Sequence, residues 1–541
     1  MFRSNVIYAL LYLAILNHNS FSEVLKALNS HFPEPEGFFG WALASAGDVD
    51  ADGIPDFIIG AHQEDAGAAN AGRAYVYRGS NFALLHILQA SKPHAGGLFG
   101  SAVAGVGDVN GDGYDDLLVG EYGEDGGAFD VGRAYVFSGC DGHTIHDLKS
   151  PNPEVQGYFG YGIAGIGDVN NNGSPDLIIG AYGEDGGTYS AGRAYVFDGN
   201  SGALIHTLES PSPETNAYFG VSVTGIDDIT GDGCSEVAVG AVYESGGAQQ
   251  AGRVYVFDGL TGSVVYTLES PHAELTGGFG HDVCKLDDVD NDGYSEIIVG
   301  AWLEENIERH AGRVYVFSGQ HGDFLYEMVS PNPDWFGGFG FTISDIGDMD
   351  DDGAHDIVIG TYKEDGGAFN AGRAYVFSCT TGLLLATLES PYPIESGRFG
   401  NNVAGIGDKN GDGRGDVLVG AHLEHGGSSQ AGRAYLYSPV LNLQNGLAGS
   451  ELILTWSPWP GAAEYWIYGA ENDAFFIPGL SFPYQYRLSM VDSDCTTWSS
   501  SAGILDPENN LTYLIVATDT MSRLIARSNR AGEFDLELAI P

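Results

Sequence analysis

The chain has 541 residues, with 22 Lys and Arg against 73 Asp and Glu for a formal charge of −51. That balance excludes nucleic acid as a partner, because a phosphate backbone needs a basic footprint. Hydrophobic residues make up 43% and aromatics 12%, enough for a large packed core, so the acid must occupy structural positions and not a disordered tail.

Taken in chain order, residues 1–22 carry a charged start (Arg3), an apolar run from Val6 to Leu16 and a polar close. The run is too short to span a bilayer and reads as a signal peptide, with cleavage before Glu23. Later segments show no membrane-spanning pattern, so the expectation is a monomeric protein, secreted and possibly attached to a cell surface.

From Phe39-Gly40 onward a unit of 60 residues repeats without insertion, the Phe-Gly pair returning at 99, 159, 219, 279, 339 and 399. Each unit holds four β-like runs. In the second these are Phe99–Val106, Asp116–Gly120, Gly132–Phe137 and Thr144–Lys149, joined by Gly-rich turns. The second run is apolar on both faces in all seven copies, which requires cover on both sides. Radially stacked sheets supply it, so the expected fold class is all-β, a seven-bladed β-propeller of four-stranded antiparallel blades. A β-solenoid is the competing architecture, but its repeat is usually shorter and parallel. The seventh copy lacks a fourth run after Gly432–Ser438, whereas Glu23–Ser30 (E-V-L-K-A-L-N-S) matches Ala203–Ser210 three periods later. The N-terminal strand is therefore expected to complete the last blade and remove an open edge.

Between the first and second runs lies a nine-residue D-x-[DNT]-x-[DN]-G-x-x-[DE] loop. Position 1 is Asp48, Asp108, Asp168, Asp228, Asp288, Asp348 and Asp408; position 3 is Asp50, Asn110, Asn170, Thr230, Asp290, Asp350 and Asn410. Position 5 is Asp52, Asp112, Asn172, Asp232, Asp292, Asp352 and Asp412; position 9 is Asp56, Asp116, Asp176, Glu236, Glu296, Asp356 and Asp416. Oxygen ligands at this spacing, with a Gly at position 6 for the turn, suit Ca2+, one per repeat and up to seven. An EF-hand begins in the same way but needs Glu at position 12, where this chain has only Val or Ile. The loop therefore opens into a strand. By carboxylate count the first, fifth and sixth loops should bind most tightly, the third and fourth most weakly. Arg414-Gly415-Asp416 does not read as an adhesive peptide, because Asp416 belongs to a loop.

These residues resemble the FG-GAP repeats of integrin α-subunit propellers, in the style of secreted bacterial members, with A-G-R-[AV]-Y-[VL]-[FY] in every copy. The triplet that corresponds to Gly-Ala-Pro lacks its Pro throughout, from Gly60–His62 onward. The resemblance covers 23–438 and implies a binding module with structural calcium whose ligands are held on the face opposite the metal loops. That face would present His62, Tyr122, Tyr182, Trp302, Tyr362, His422 and a Glu in each copy. Symmetric residues more often tie blades together than bind ligand, so Trp302, Trp335 and Phe336, which break the repeat, are the candidate ligand contacts. No nucleophile-base or zinc motif stands out, and the reading is of a non-enzyme that recognises an extracellular protein or glycan. A polysaccharide-degrading enzyme and a surface-layer spacer are the alternatives. Five cysteines fall at different repeat positions and receive no chemical role. Residues 439–541 differ in texture and are similar to a fibronectin type III β-sandwich, with Trp456 as its core tryptophan and Tyr513 on a late strand.

Overall fold

A computed structural model describes residues 23–290, 292–350, 352–411 and 413–438, together with the backbone of seven later strands. The proposed signal peptide, Asp412 and Trp456 lie outside the described residues. The chain divides into two compact units, one made of Val24–Asn410 and Arg414–Ser438, the other taking in Pro439–Pro541.

The first unit is a seven-bladed propeller. Its first complete blade is β2 (Leu43–Gly47), β3 (Asp56–Ala61), β4 (Arg73–Tyr77) and β5 (Leu84–Leu88), hydrogen-bonded in that order, and five further blades repeat the meander. The last sheet has the order β1-β28-β27-β26, where β1 is Glu23–Leu28, β26 Phe399–Gly407, β27 Asp416–Ala421 and β28 Arg433–Ser438. The N-terminal strand thus supplies the outer strand of the seventh blade. Each second strand is buried from end to end, because neighbouring blades cover both of its faces. The core consequently lies between blades. Ile58, Val76 and Leu88 of one blade, for example, pack with Leu117, Val119 and Tyr135 of the next.

The repeating Gly-Arg and Phe-Gly pairs mark where one blade meets another. Phe99 donates its N–H to the Ala71 carbonyl at 2.8 Å, and Phe39 closes the ring on Ala431 at 2.8 Å. Gly72 sits at φ +86°, and a Cβ there would be driven into the Phe99 carbonyl oxygen. Only glycine permits this approach.

The second unit contains β29 (Gln444–Ala448), β30 (Glu451–Thr455), β31 (Glu464–Glu471), β32 (Tyr486–Asp492), β33 (Thr497–Ser500), β34 (Leu511–Thr518) and β35 (Leu524–Arg527). They pair as two antiparallel sheets, β29-β30-β33 and β32-β31-β34-β35. No helix among the described residues is long and apolar enough to cross a membrane.

Candidate metal centres and the opposite face

In an antiparallel meander alternate turns fall at opposite ends of the blade. The Asp-rich loops between first and second strands therefore share one end with the turns between third and fourth strands. The remaining connections share the other end.

Every loop turns at its sixth residue. Gly53, Gly113, Gly173, Gly233, Gly293, Gly353 and Gly413 all have φ between +87° and +94°. In six loops the N–H of this glycine donates to the position 1 carboxylate, at 2.8 Å for Gly53 to Asp48 and 3.0 Å for Gly293 to Asp288. The position 9 carboxylate is fully buried at the start of the second strand. Asp56 accepts from Val49 N–H at 3.0 Å and, across the sheet, from Gly79 N–H at 2.7 Å.

The loops gather their acidic oxygens. In the fifth, Asp288, Asp290, Asp292 and Glu296 each offer an oxygen within 4.8 Å of the others; so do Asp48, Asp50 and Asp56, Asp228, Asp232 and Glu236, and Asp348, Asp350 and Asp356. Glu236 and Glu296 are fully buried and each leaves Oε1 without a hydrogen-bond partner. A buried oxygen without a donor is costly unless a cation takes that place. Burial also pushes the carboxyls of Asp56, Asp116 and Asp176 up to about 6 and those of Glu296 and Asp356 up to about 7. The all-oxygen donor set and the orphaned oxygens fit a hard divalent cation.

The third-to-fourth turn reaches into this centre. Arg78 holds Asp50 through its Nε. Asp198, one blade beyond Ser138 in the same repeat position, accepts from Asn170 Nδ2 at 3.0 Å and Asn172 Nδ2 at 2.5 Å. Ser318 donates to Asp292 at 3.4 Å, and Ser438 accepts from Asn410. Sequence spacing did not reveal this position because it lies 28 residues after position 3 of the loop.

Asp416 of the Arg-Gly-Asp triplet is fully buried and accepts from Lys409 N–H at 2.8 Å, as a loop carboxylate does. Cys140, Cys234, Cys284 and Cys379 are free thiols.

At the opposite end the recurring glutamates turn inward. Glu64 accepts from Tyr75 Oη at 2.5 Å, from Ser30 of the preceding fourth strand, and pairs with Arg73 at 3.0 Å. The same Ser-Glu-Tyr set recurs at Glu184, Glu244 and Glu364, and Glu304 and Glu424 keep the tyrosine bond. These residues bind blades to each other and are not offered to a ligand.

The candidate ligand residues are arranged differently. His62 and His422, expected on the open face, are buried against Trp41, with ring centroids 4.4 and 4.9 Å away, and desolvation lowers both to about 3, leaving them neutral. Trp302 packs on Phe341 at 5.4 Å and Tyr362 at 6.3 Å, and its indole N–H is buried without an acceptor. Lys363 bridges outward, its Nζ 5.0 Å from the Tyr362 ring and 5.9 Å from that of Phe336. Phe336 in turn stacks edge-on with Trp335, which is 65% exposed. The two segments singled out by sequence therefore belong to one arc. The residues flanking each Phe-Gly pair, such as Trp41, Tyr158, Tyr161 and Phe341, join the aromatic lining and were not anticipated.

Fold and loops together define a β-propeller with acidic clusters in the first turn of its blades that could hold a cation. The FG-GAP repeat matches residues 39–77, 99–137, 159–197 and 219–257. The chain is similar to integrin alpha-4 of Xenopus laevis, 28% identical over 283 residues, which is 50% of this chain and 26% of that protein. It is 32% identical over 174 residues to human integrin alpha-11, covering 31% of this chain and 14% of the other. Integrin alpha-IIb of Mus musculus is 34% identical over 165 residues, or 28% and 16% of the two chains. The chain thus spans about a quarter or less of the curated relatives it matches.

Proposed function

We propose that this chain is a secreted, calcium-binding recognition or adhesion module that grips an extracellular protein or glycan. Similarity to integrin α-subunits supports a binding role over a catalytic one. The observation that carries the reading is the single-copy arc from Trp302 through Tyr362, Lys363 and Phe336 to Trp335, with a buried indole N–H that lacks an acceptor. Aromatic rings combined with one free donor and one cation suit a ligand that presents both an apolar face and oxygen acceptors. Calcium, at up to seven loops, acts at the other end of the blades and serves mainly to hold the scaffold. Residues 1–22 would direct export, and 439–541 would form a fibronectin type III-like spacer.

Glycan and extracellular-matrix arrays probed with the full chain, with and without calcium, test this. Binding that is weakened at least about tenfold by Trp335→Ala and Trp302→Ala is expected, as for aromatic anchors. Binding that survives both substitutions, or turnover of a polymer, would overturn it.

A further inference from the structure

The third-to-fourth turn holds Arg78, Ser138, Asp198, Asp258, Ser318, Ser378 and Ser438 at one repeat position. In four blades this side chain meets position 3 or 5 of its own loop: Arg78 on Asp50, Asp198 on Asn170 and Asn172, Ser318 on Asp292, Ser438 on Asn410; Asp258 and Ser378 accept from Thr261 and Thr381 of their own turns. In the first and third blades its chemistry runs against the loop's own charge. The first loop has four carboxylates and receives an arginine; the third has two and receives an aspartate.

In the third loop Asp198 Oδ2 collects both amide NH2 groups, those of Asn170 and Asn172. The Asn170 NH2 group also donates to the position 9 carboxylate of Asp176 at 3.3 Å, so it bridges Asp198 and the loop. Asn170 Oδ1 is buried without a partner. Asp198 thus both supplies a missing negative charge and fixes two neutral ligands, as a carboxylate behind a metal ligand commonly does.

The first loop is treated in the opposite way. Besides Arg78 on Asp50, it receives the ammonium of Lys409, whose Nζ donates to the carbonyl of Pro55 at loop position 8. In every other blade the residue equivalent to Lys409 is Val, Ile or Met. Two basic groups therefore stand against this acidic cluster.

We infer that the third-to-fourth turn sets the cation affinity of the first and third loops: Asp198 raises the third site above what its carboxylate count allows, and Arg78 lowers the first as a resident counter-cation. This reverses the ranking that carboxylate count alone implies for these two loops, and it rests on the calcium reading above.

The test is peptide-resolved hydrogen exchange of the full chain across buffered free calcium, giving a half-protection midpoint for each loop. In the unmodified protein the third loop should respond at no higher calcium than the first. Asp198→Asn should move the third loop's midpoint about tenfold to higher calcium and leave the second loop unchanged. Arg78→Ser, which installs the residue four other blades use, should move the first loop's midpoint about tenfold to lower calcium. The second loop reports in the same sample that each variant is folded. A third loop unmoved by Asp198→Asn, or a first loop unmoved by Arg78→Ser, overturns the inference. If no loop of the unmodified protein responds to calcium, the calcium reading itself falls and this inference falls with it.

Discussion

Tyr135 donates its hydroxyl to Glu121 at 2.8 Å, whereas in the other six blades the same tyrosine donates to the glutamate three repeat positions later. The cause lies in the neighbouring strand. The serine that meets this glutamate elsewhere is Ala90 here, and Glu124 turns instead to Arg133 at 2.9 Å. Glu121→Ala should therefore cost about 1–3 kcal/mol by leaving Tyr135 Oη unpaired. Adding Ala90→Ser should recover some of that loss by re-forming the set around Glu124. Denaturant unfolding of the two single variants and the double variant measures the coupling, and additive losses would contradict the account.

Glu304 gives the cleanest pH response, since Arg313 pairs with Glu327 at 3.0 Å and not with Glu304. Desolvation raises its carboxyl to about 7, against the smaller lowering effect of nearby Ser270 and of its Tyr315 hydrogen bond. Because the folded state holds this proton more tightly than the unfolded chain, its contribution to stability is complete below about pH 4.5 and is lost as pH rises from there through about 7. Glu304→Gln should therefore be more stable than the parent by roughly 2 kcal/mol at pH 8 and nearly equal to it at pH 4.5. Thermal unfolding in EDTA at the two pH values tests this, and an equal difference at both would refute it.

Two glycines with the same backbone conformation should respond unequally. Gly53 and Gly72 have φ of +87° and +86°, but a Cβ at Gly53 meets nothing within 4 Å, while one at Gly72 strikes the Phe99 backbone. Gly53→Ala should cost about 1 kcal/mol from backbone conformation alone. Gly72→Ala must also push neighbouring blades apart and should cost well over ~3 kcal/mol or abolish folding. Comparable melting temperatures would contradict this view of the blade contact.

Chelation should lower the melting temperature of the full chain, because the clustered loop carboxylates lose the cation that offsets their repulsion. Glu296→Gln should remove about one site from the calcium stoichiometry measured by calorimetry. Glu304→Gln, at the other end of the same blade, should leave that stoichiometry unchanged.

The number of blades, the strand order, the ring closure by Glu23–Leu28 and the position of the seven Asp-rich loops were legible in the residues alone. An invariant 60-residue period transmits local patterning directly into a repeated fold, and each loop's first ligands come from nine consecutive residues. What lies across the period was settled only by packing in three dimensions. It turned Glu64 and its counterparts inward, buried His62 and His422 behind Trp41, and joined Trp302 to Trp335 through Lys363. It also placed Arg78 and Asp198 against loops far earlier in the chain. Those outcomes depend on which blade faces which and, within a blade, on the ends at which antiparallel turns meet, neither of which is set by spacing along the chain.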